Sequence, residues 1–195
     1  VWQIADSPFA PKFRIVSKPN DWAKAVKQTA SKASLTEAKV LQLEFWNKFS
    51  EFARSKNTKL RLRKTSPRHW YDISIGNADA HISLTVNTRD NQIACELYIS
   101  DSKELYTYLE QNKERVEKEL GSNLLWMELE GKKASRIKIV SHGELHEITK
   151  WEDLHIWLLG MAERFEKVFS KPSSAFLAVA SSKQSFTNSL ARKTL

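Results

Sequence analysis

Three alternating segments follow one another between residues 69 and 99: HWYDISIG, AHISLTVNT and QIACELYIS. Alternation at period two is the pattern of strands with one buried face. Asn77-Ala78-Asp79 and Arg89-Asp90-Asn91 separate the segments, and turn residues at these intervals predict an antiparallel meander. One face is apolar: Tyr71, Ile73 and Ile75, then Ile82, Leu84 and Val86, then Ile93, Cys95, Leu97 and Ile99. The other carries Trp70, Asp72, His81, Ser83, Thr85, Asn87, Glu96 and Tyr98, with Arg89 at a turn.

Helical signals flank the meander. Ser34 and Glu37 have capping-box spacing, so a first helix is expected from about Leu35. Leu41, Phe45, Phe49 and Phe52 stack along one face of it, widened by Val40 and Trp46. A second helix is expected after Asp101, with Asp101 and Glu104 as its cap pair, Leu105, Leu109, Val116 and Leu120 as its apolar face, and Gly121 as its stop. Segments 124–129 and 136–140 read as a hairpin around Gly131-Lys132-Lys133. A third helix is expected from Lys150, capped by Thr149 and Glu152, with Leu154, Trp157, Leu158, Met161, Phe165, Val168 and Phe169 on its apolar face and Pro172 past its end. The order α-βββ-α-ββ-α predicts an α+β domain over 35–172, a mostly antiparallel sheet with helices packed against it. Residues 1–34, interrupted by Pro8, Pro11 and Pro19, read as a connector, with short strands at 1–5 and 13–16 and a helical turn from Asp21 to Gln28. Residues 173–195 read as a tail. The opening Val1-Trp2-Gln3-Ile4-Ala5 reads as the end of a strand cut from something longer.

Composition bounds the function. No run of apolar residues is long enough for a membrane span, and no signal peptide is visible. Cys95 is the one cysteine, so no internal disulfide forms, which suits a reducing cytoplasm; within a strand it reads as a small core residue. Lys and Arg exceed Asp and Glu by 31 to 23, a net charge of +8. The excess is clustered: Arg54, Lys56, Lys59, Arg61, Arg63, Lys64 and Arg68 follow one another with no acidic residue between them. Such a cluster attracts polyanions or simply solvates a loop. Trp70 and Tyr71 follow at once, as stacking platforms for bases or as core residues.

On the polar strand face, cross-strand neighbours bring Asp72, His81 and Glu96 within mutual reach. Such a trio holds a metal, moves a proton, or is an ordinary wet face. The helix–meander–helix–strand order is also that of PD-(D/E)XK nucleases. Asp79 and Glu96-Leu97-Tyr98 fall near the positions of those enzymes' acidic residues, but Tyr98 stands where the catalytic lysine belongs. A tyrosine supplies no cation to stabilise phosphate charge, so the likeness is to a degenerate restriction-endonuclease-like core. His142 and His146 lack the order of a helical zinc motif, and there is neither a phosphate-cradling glycine loop nor a cysteine pair for zinc. No cofactor or metal is expected.

The combination Phe45-Trp46, Arg61-Leu62-Arg63-Lys64, His69 to Gly76, Thr85 to Arg89 and Glu96-Leu97-Tyr98, with Gly131 to Arg136 and Trp151, Trp157 and the leucines after it, resembles a bacterial family called domain of unknown function 4268. The likeness covers about residues 40–170. It implies a C-terminal domain behind a PD-(D/E)XK-nuclease-like half, with 1–5 as that half's last strand, and it assigns no residue a catalytic role. The resulting expectation is a non-catalytic module that binds nucleic acid, DNA first. Arg61, Arg63, Lys64, Arg68 and Arg89 would hold phosphates, and Trp70, His81, Asn87 and Tyr98 would meet bases or sugars. Two other readings stand beside it. One is a protein-interaction or dimerisation module using the third helix and the apolar tail; the other is a degenerate metal-dependent phosphodiesterase using Asp72 or Asp79, His81 and Glu96.

Overall fold

Alternating residues along the meander fix which side of the sheet is greasy, and the helices collect there. In the computed structural model, which describes residues 36–170, the elements run α1 (Glu37–Ser55), β1 (Trp70–Ile73), β2 (Ala80–Asn87), β3 (Gln92–Ile99), α2 (Lys103–Gln111), α3 (Lys113–Leu120), β4 (Leu125–Met127), β5 (Ser135–His142) and α4 (Trp151–Phe169). The five strands form one antiparallel sheet in the order β1-β2-β3-β5-β4. The α+β architecture expected from the sequence is therefore present. The readings for the connector, the segments at 1–5, 13–16 and 21–28, Ser34, Pro172 and the tail all lie outside the described residues.

The apolar meander residues, Cys95 among them, are buried in one core cluster with Phe45, Trp46 and Phe49 of α1 and Leu158, Phe165 and Phe169 of α4. Burying each large side chain of this kind contributes roughly 1.5–3 kcal/mol. Aromatic contacts tie the layers together. Trp46 stacks on Tyr71 with centroids 5.6 Å apart, and Phe45 meets Trp151 edge-on at 5.2 Å. His155 of α4 sits against Phe45, Phe49 and Phe52, 4 % exposed, with its Nε2 unpartnered among the described residues.

Three local expectations are corrected. The second helix breaks at Asn112, whose side-chain amide donates to the Tyr108 carbonyl at 2.8 Å and competes with the helical ladder. The N-cap is Ser102, whose hydroxyl accepts from Leu105 N–H, and Asp101 pairs instead with Lys133 at 3.0 Å. Before α4 the chain makes a 3-10 turn, Ile148–Lys150, and no side chain caps the helix. Leu154, Leu158, Phe165, Val168 and Phe169 of α4 are buried in the core, Trp157 and Met161 are partly buried against it, and Ile156 is exposed. Gly121 does end α3 in the left-handed region, as expected (φ 69).

Lys103 closes the far end of the sheet. Its ammonium donates to the carbonyls of Glu128 and Ala134 and to Ser135 Oγ, tying α2 to the β4–β5 turn. Among the described residues no helix is long and apolar enough to cross a membrane.

Candidate ligand-binding face

The sheet register lays the second face out in rows. Trp70, Thr85, Ala94 and Val140 stand side by side across β1, β2, β3 and β5. Asp72, Ser83, Glu96 and Lys138 form the next row, and His81, Tyr98, Arg136 and Met127 the one after. Side chains in a row are close cross-strand neighbours. The middle row is low at Ser83, while the rows on either side carry the rings. The result is a cleft of about 460 Å³ lined by Trp70, Asp72, His81, Ser83, Glu96, Tyr98 and Arg136, among others. A second depression, of about 670 Å³, shares His69, Thr85, Glu96 and Arg136 with it and runs on to Lys138 and the Asn87–Asp90 turn.

Two rings of the cleft, Trp70 and Tyr98, each carry a cation. The Arg68 guanidinium lies 5.0 Å from the Trp70 ring centre, and that of Arg136 lies 5.4 Å from Tyr98. His81 packs beside Tyr98 at 5.2 Å. Tyr71, the other aromatic next to the basic run, belongs to the core.

The two carboxylates differ in setting. Burial works to raise the Asp72 pKa, but hydrogen bonds from His81 and Ser83 outweigh it, so Asp72 lies below its ordinary value. Ser83 Oγ donates to Asp72 Oδ1 at 2.8 Å, and His81 Nε2 stands 3.5 Å from the same oxygen. Glu96 is only 3 % exposed, and burial raises its pKa against the opposing pull of Arg136 and Lys138. Its Oε2 is 3.6 Å from Arg136 Nη1, longer than a hydrogen bond. Arg136 Nε is shielded from water with no partner among the described residues.

The basic run borders this face because core residues hold its backbone. Trp46 Nε1–H donates to the Arg68 carbonyl at 2.8 Å, and Tyr71 O–H donates to the Arg63 carbonyl at 2.6 Å. Arg61 bridges to Ser74 beside β1. Arg61, Arg63, Lys64 and Arg68 all leave their side chains exposed.

The candidate residues therefore divide. Trp70, His81 and Tyr98 gather at the cleft, half-buried and uncovered by any described helix, and Arg68 joins them through Trp70. Arg61, Arg63 and Lys64 flank the face. Asn87 and Arg89 lie at the β2–β3 turn in the second depression. The Asn87 amide is occupied there: its oxygen accepts from the Arg89 and Asp90 N–H groups, and its nitrogen donates to Asp90. Of the expected trio, His81 reaches Asp72, whereas Glu96 turns to Arg136. Asp79 stands before β2 beside Ser100, four residues along β3 from Glu96, about 13 Å away at strand spacing. Among the described residues, no three His, Cys, Asp or Glu side chains form a group that could hold a metal.

Arg136 and Lys138 are the site residues that sequence reasoning did not single out. Their signal was their alternation with Ile137 and Ile139 in a strand. The arrangement of rings, guanidinium groups and one buried carboxylate suits a planar, anionic ligand.

The profile of a family described as Domain of unknown function (DUF4268) matches residues 41–173. No curated protein and no solved structure matches the chain.

Proposed function

We propose, on the premise that this chain belongs to the DUF4268 family, that it is a non-catalytic module binding nucleic acid, DNA first. It works beside an upstream nuclease-like half in cytoplasmic DNA processing or defence. The observation that carries this reading is the pairing of two uncovered rings with two arginines along one cleft, next to an exposed basic loop. Single-stranded nucleic acid is held by such a combination: bases stack on the rings, each worth roughly 1–3 kcal/mol, while cations follow the phosphates. The phosphodiesterase reading has less support, because Asp72 and Glu96 are engaged with different partners.

Fluorescence anisotropy with labelled single-stranded and duplex DNA tests the proposal. Binding at low salt is expected to weaken steeply as salt is added. If Arg61, Arg63, Lys64, Arg68 and Arg89 each neutralise a phosphate, the log–log slope for a single strand is roughly −3 to −4. Absence of binding to either form at low salt rejects the reading.

A further inference from the structure

We propose that the cleft seats one unpaired guanine base, with Glu96 and Arg136 reading its hydrogen-bonding edge. The inference rests on the nucleic-acid reading and specifies the ligand of that same face.

The first observation is shape. The cleft is bounded by Trp70 on one side and by His81 and Tyr98 on the other. These two rows lie four strand residues apart, about 13 Å at the backbone. Between them lies the row of Asp72, Ser83 and Glu96, low at Ser83, so a flat heterocycle can sit down between the rings. At about 460 Å³ the cleft has the size of a small-molecule site. A base in a duplex cannot reach such a floor, whereas an unpaired one can.

The second observation is unspent hydrogen-bonding capacity. Glu96 is buried, and its closest ionic contact, with Arg136, is too long for a hydrogen bond. Arg136 Nε is shielded and unpartnered among the described residues. A buried donor left unpaired costs about 1–3 kcal/mol, and Arg136 Nε is such a donor among the described residues, beside a Glu96 carboxylate that its guanidinium does not reach at hydrogen-bond distance. Asp72 is different: Ser83 and His81 already occupy Oδ1. The vacant pair is therefore one carboxylate beside one guanidinium.

The third step is chemical matching. Guanine presents two adjacent N–H donors on its Watson–Crick edge, which fit the two oxygens of a carboxylate. Beside them stands O6, an acceptor for which guanidinium is the usual partner. Adenine and thymine do not present this order of two donors beside an acceptor, and cytosine has one amino group where guanine has two donor positions. The base's phosphate would fall toward Arg68 or Lys138 at the cleft's margins. A guanine nucleotide free in solution offers the same chemistry as a guanine within a strand, so the test separates the two.

Short labelled thymidine strands carrying a single central guanine, adenine, cytosine or thymine are titrated with the full chain at low salt, with dGMP and dAMP as competitors. The guanine strand is expected to bind about tenfold tighter than the other three. Glu96→Gln removes one of the two acceptors and should erase the preference for the guanine strand over the other three. Circular dichroism of that variant confirms the fold. Equal affinity for all four strands overturns the guanine site and leaves the nucleic-acid reading standing. Binding of dGMP over dAMP with no strand bound supports the guanine site and overturns the nucleic-acid reading. No binding of strand or nucleotide overturns both. A preference that survives in Glu96→Gln overturns the assignment of its edge reader.

Discussion

The two faces of the sheet use the same kinds of residue to opposite ends. On the inner face aromatic rings meet other rings, and their polar tips donate to backbone carbonyls: Trp46 to Arg68 and Tyr71 to Arg63. On the outer face the rings meet cations, Arg68 on Trp70 and Arg136 on Tyr98. The two are coupled through the same short loop, because the carbonyls gripped from inside belong to the arginines displayed outside. The difference teaches that the inner face supplies stability and holds the loop, while the outer face leaves its rings and guanidinium groups uncommitted to the core.

The largest effect should come from breaking the inner face. Trp46→Ala removes a fully buried ring, its stacking on Tyr71 and the hold on Arg68. A loss of about 3–5 kcal/mol is expected in urea unfolding. If the loop is held from inside as described, nucleic-acid affinity falls as well, even where the variant remains folded.

Acidification should strike the same layer. Burial, aided by Lys48, drives the His155 pKa down to about 4, against a smaller opposing hydrogen bond with the Phe45 backbone. Between that value and the unfolded value near 6.5, the unfolded chain takes up a proton that the native chain refuses. Stability from this group is complete above the upper value and is lost as pH falls toward the lower one, by about 3 kcal/mol in all. Glu96 acts in the opposite sense: its raised pKa means that the native state takes up its proton first, so its share of stability grows as pH falls. Comparing pH–melting curves of the native chain and His155→Leu isolates the His155 part. A slope unchanged in the variant would show that His155 does not carry it.

A smaller loss is expected at the sheet's far end. Lys103→Met removes the donor shared by Glu128, Ala134 and Ser135. The variant should lose about 1–3 kcal/mol, with hydrogen exchange rising first in the β4–β5 hairpin.

The outer face should be the mildest for stability and the sharpest for binding. Tyr98→Ala is expected to cost about 1 kcal/mol or less in stability while weakening single-strand binding by roughly 1–3 kcal/mol. A variant that loses stability instead of affinity would assign Tyr98 to the same task as Tyr71 and dissolve the contrast between the faces.

Much of this contrast was legible in the chain. Period-two alternation separated Tyr71, Ile73, Leu84 and Leu97 from Trp70, Asp72, Ser83 and Glu96, because a strand sends successive side chains to opposite sides. Periodicity could equally have marked Arg136 and Lys138, but it does not say which strand lies beside which. That β5 inserts next to β3 and brings Arg136 to Glu96 is a decision of long-range pairing. The helix break at Asn112 and the cap at Ser102 were missed for a local reason: several polar residues compete for the same backbone groups, and spacing alone does not choose among them.

The sequence by itself determined the element order, the greasy side of the meander, the basic run and the family. Only the tertiary structure decided that β5 lies beside β3, that Asn87 spends its amide on a turn, and that Glu96 answers to Arg136 and not to His81. The reason is physical. Alternation and charge are properties of neighbours along the chain, whereas a cleft is made by residues that packing alone brings together.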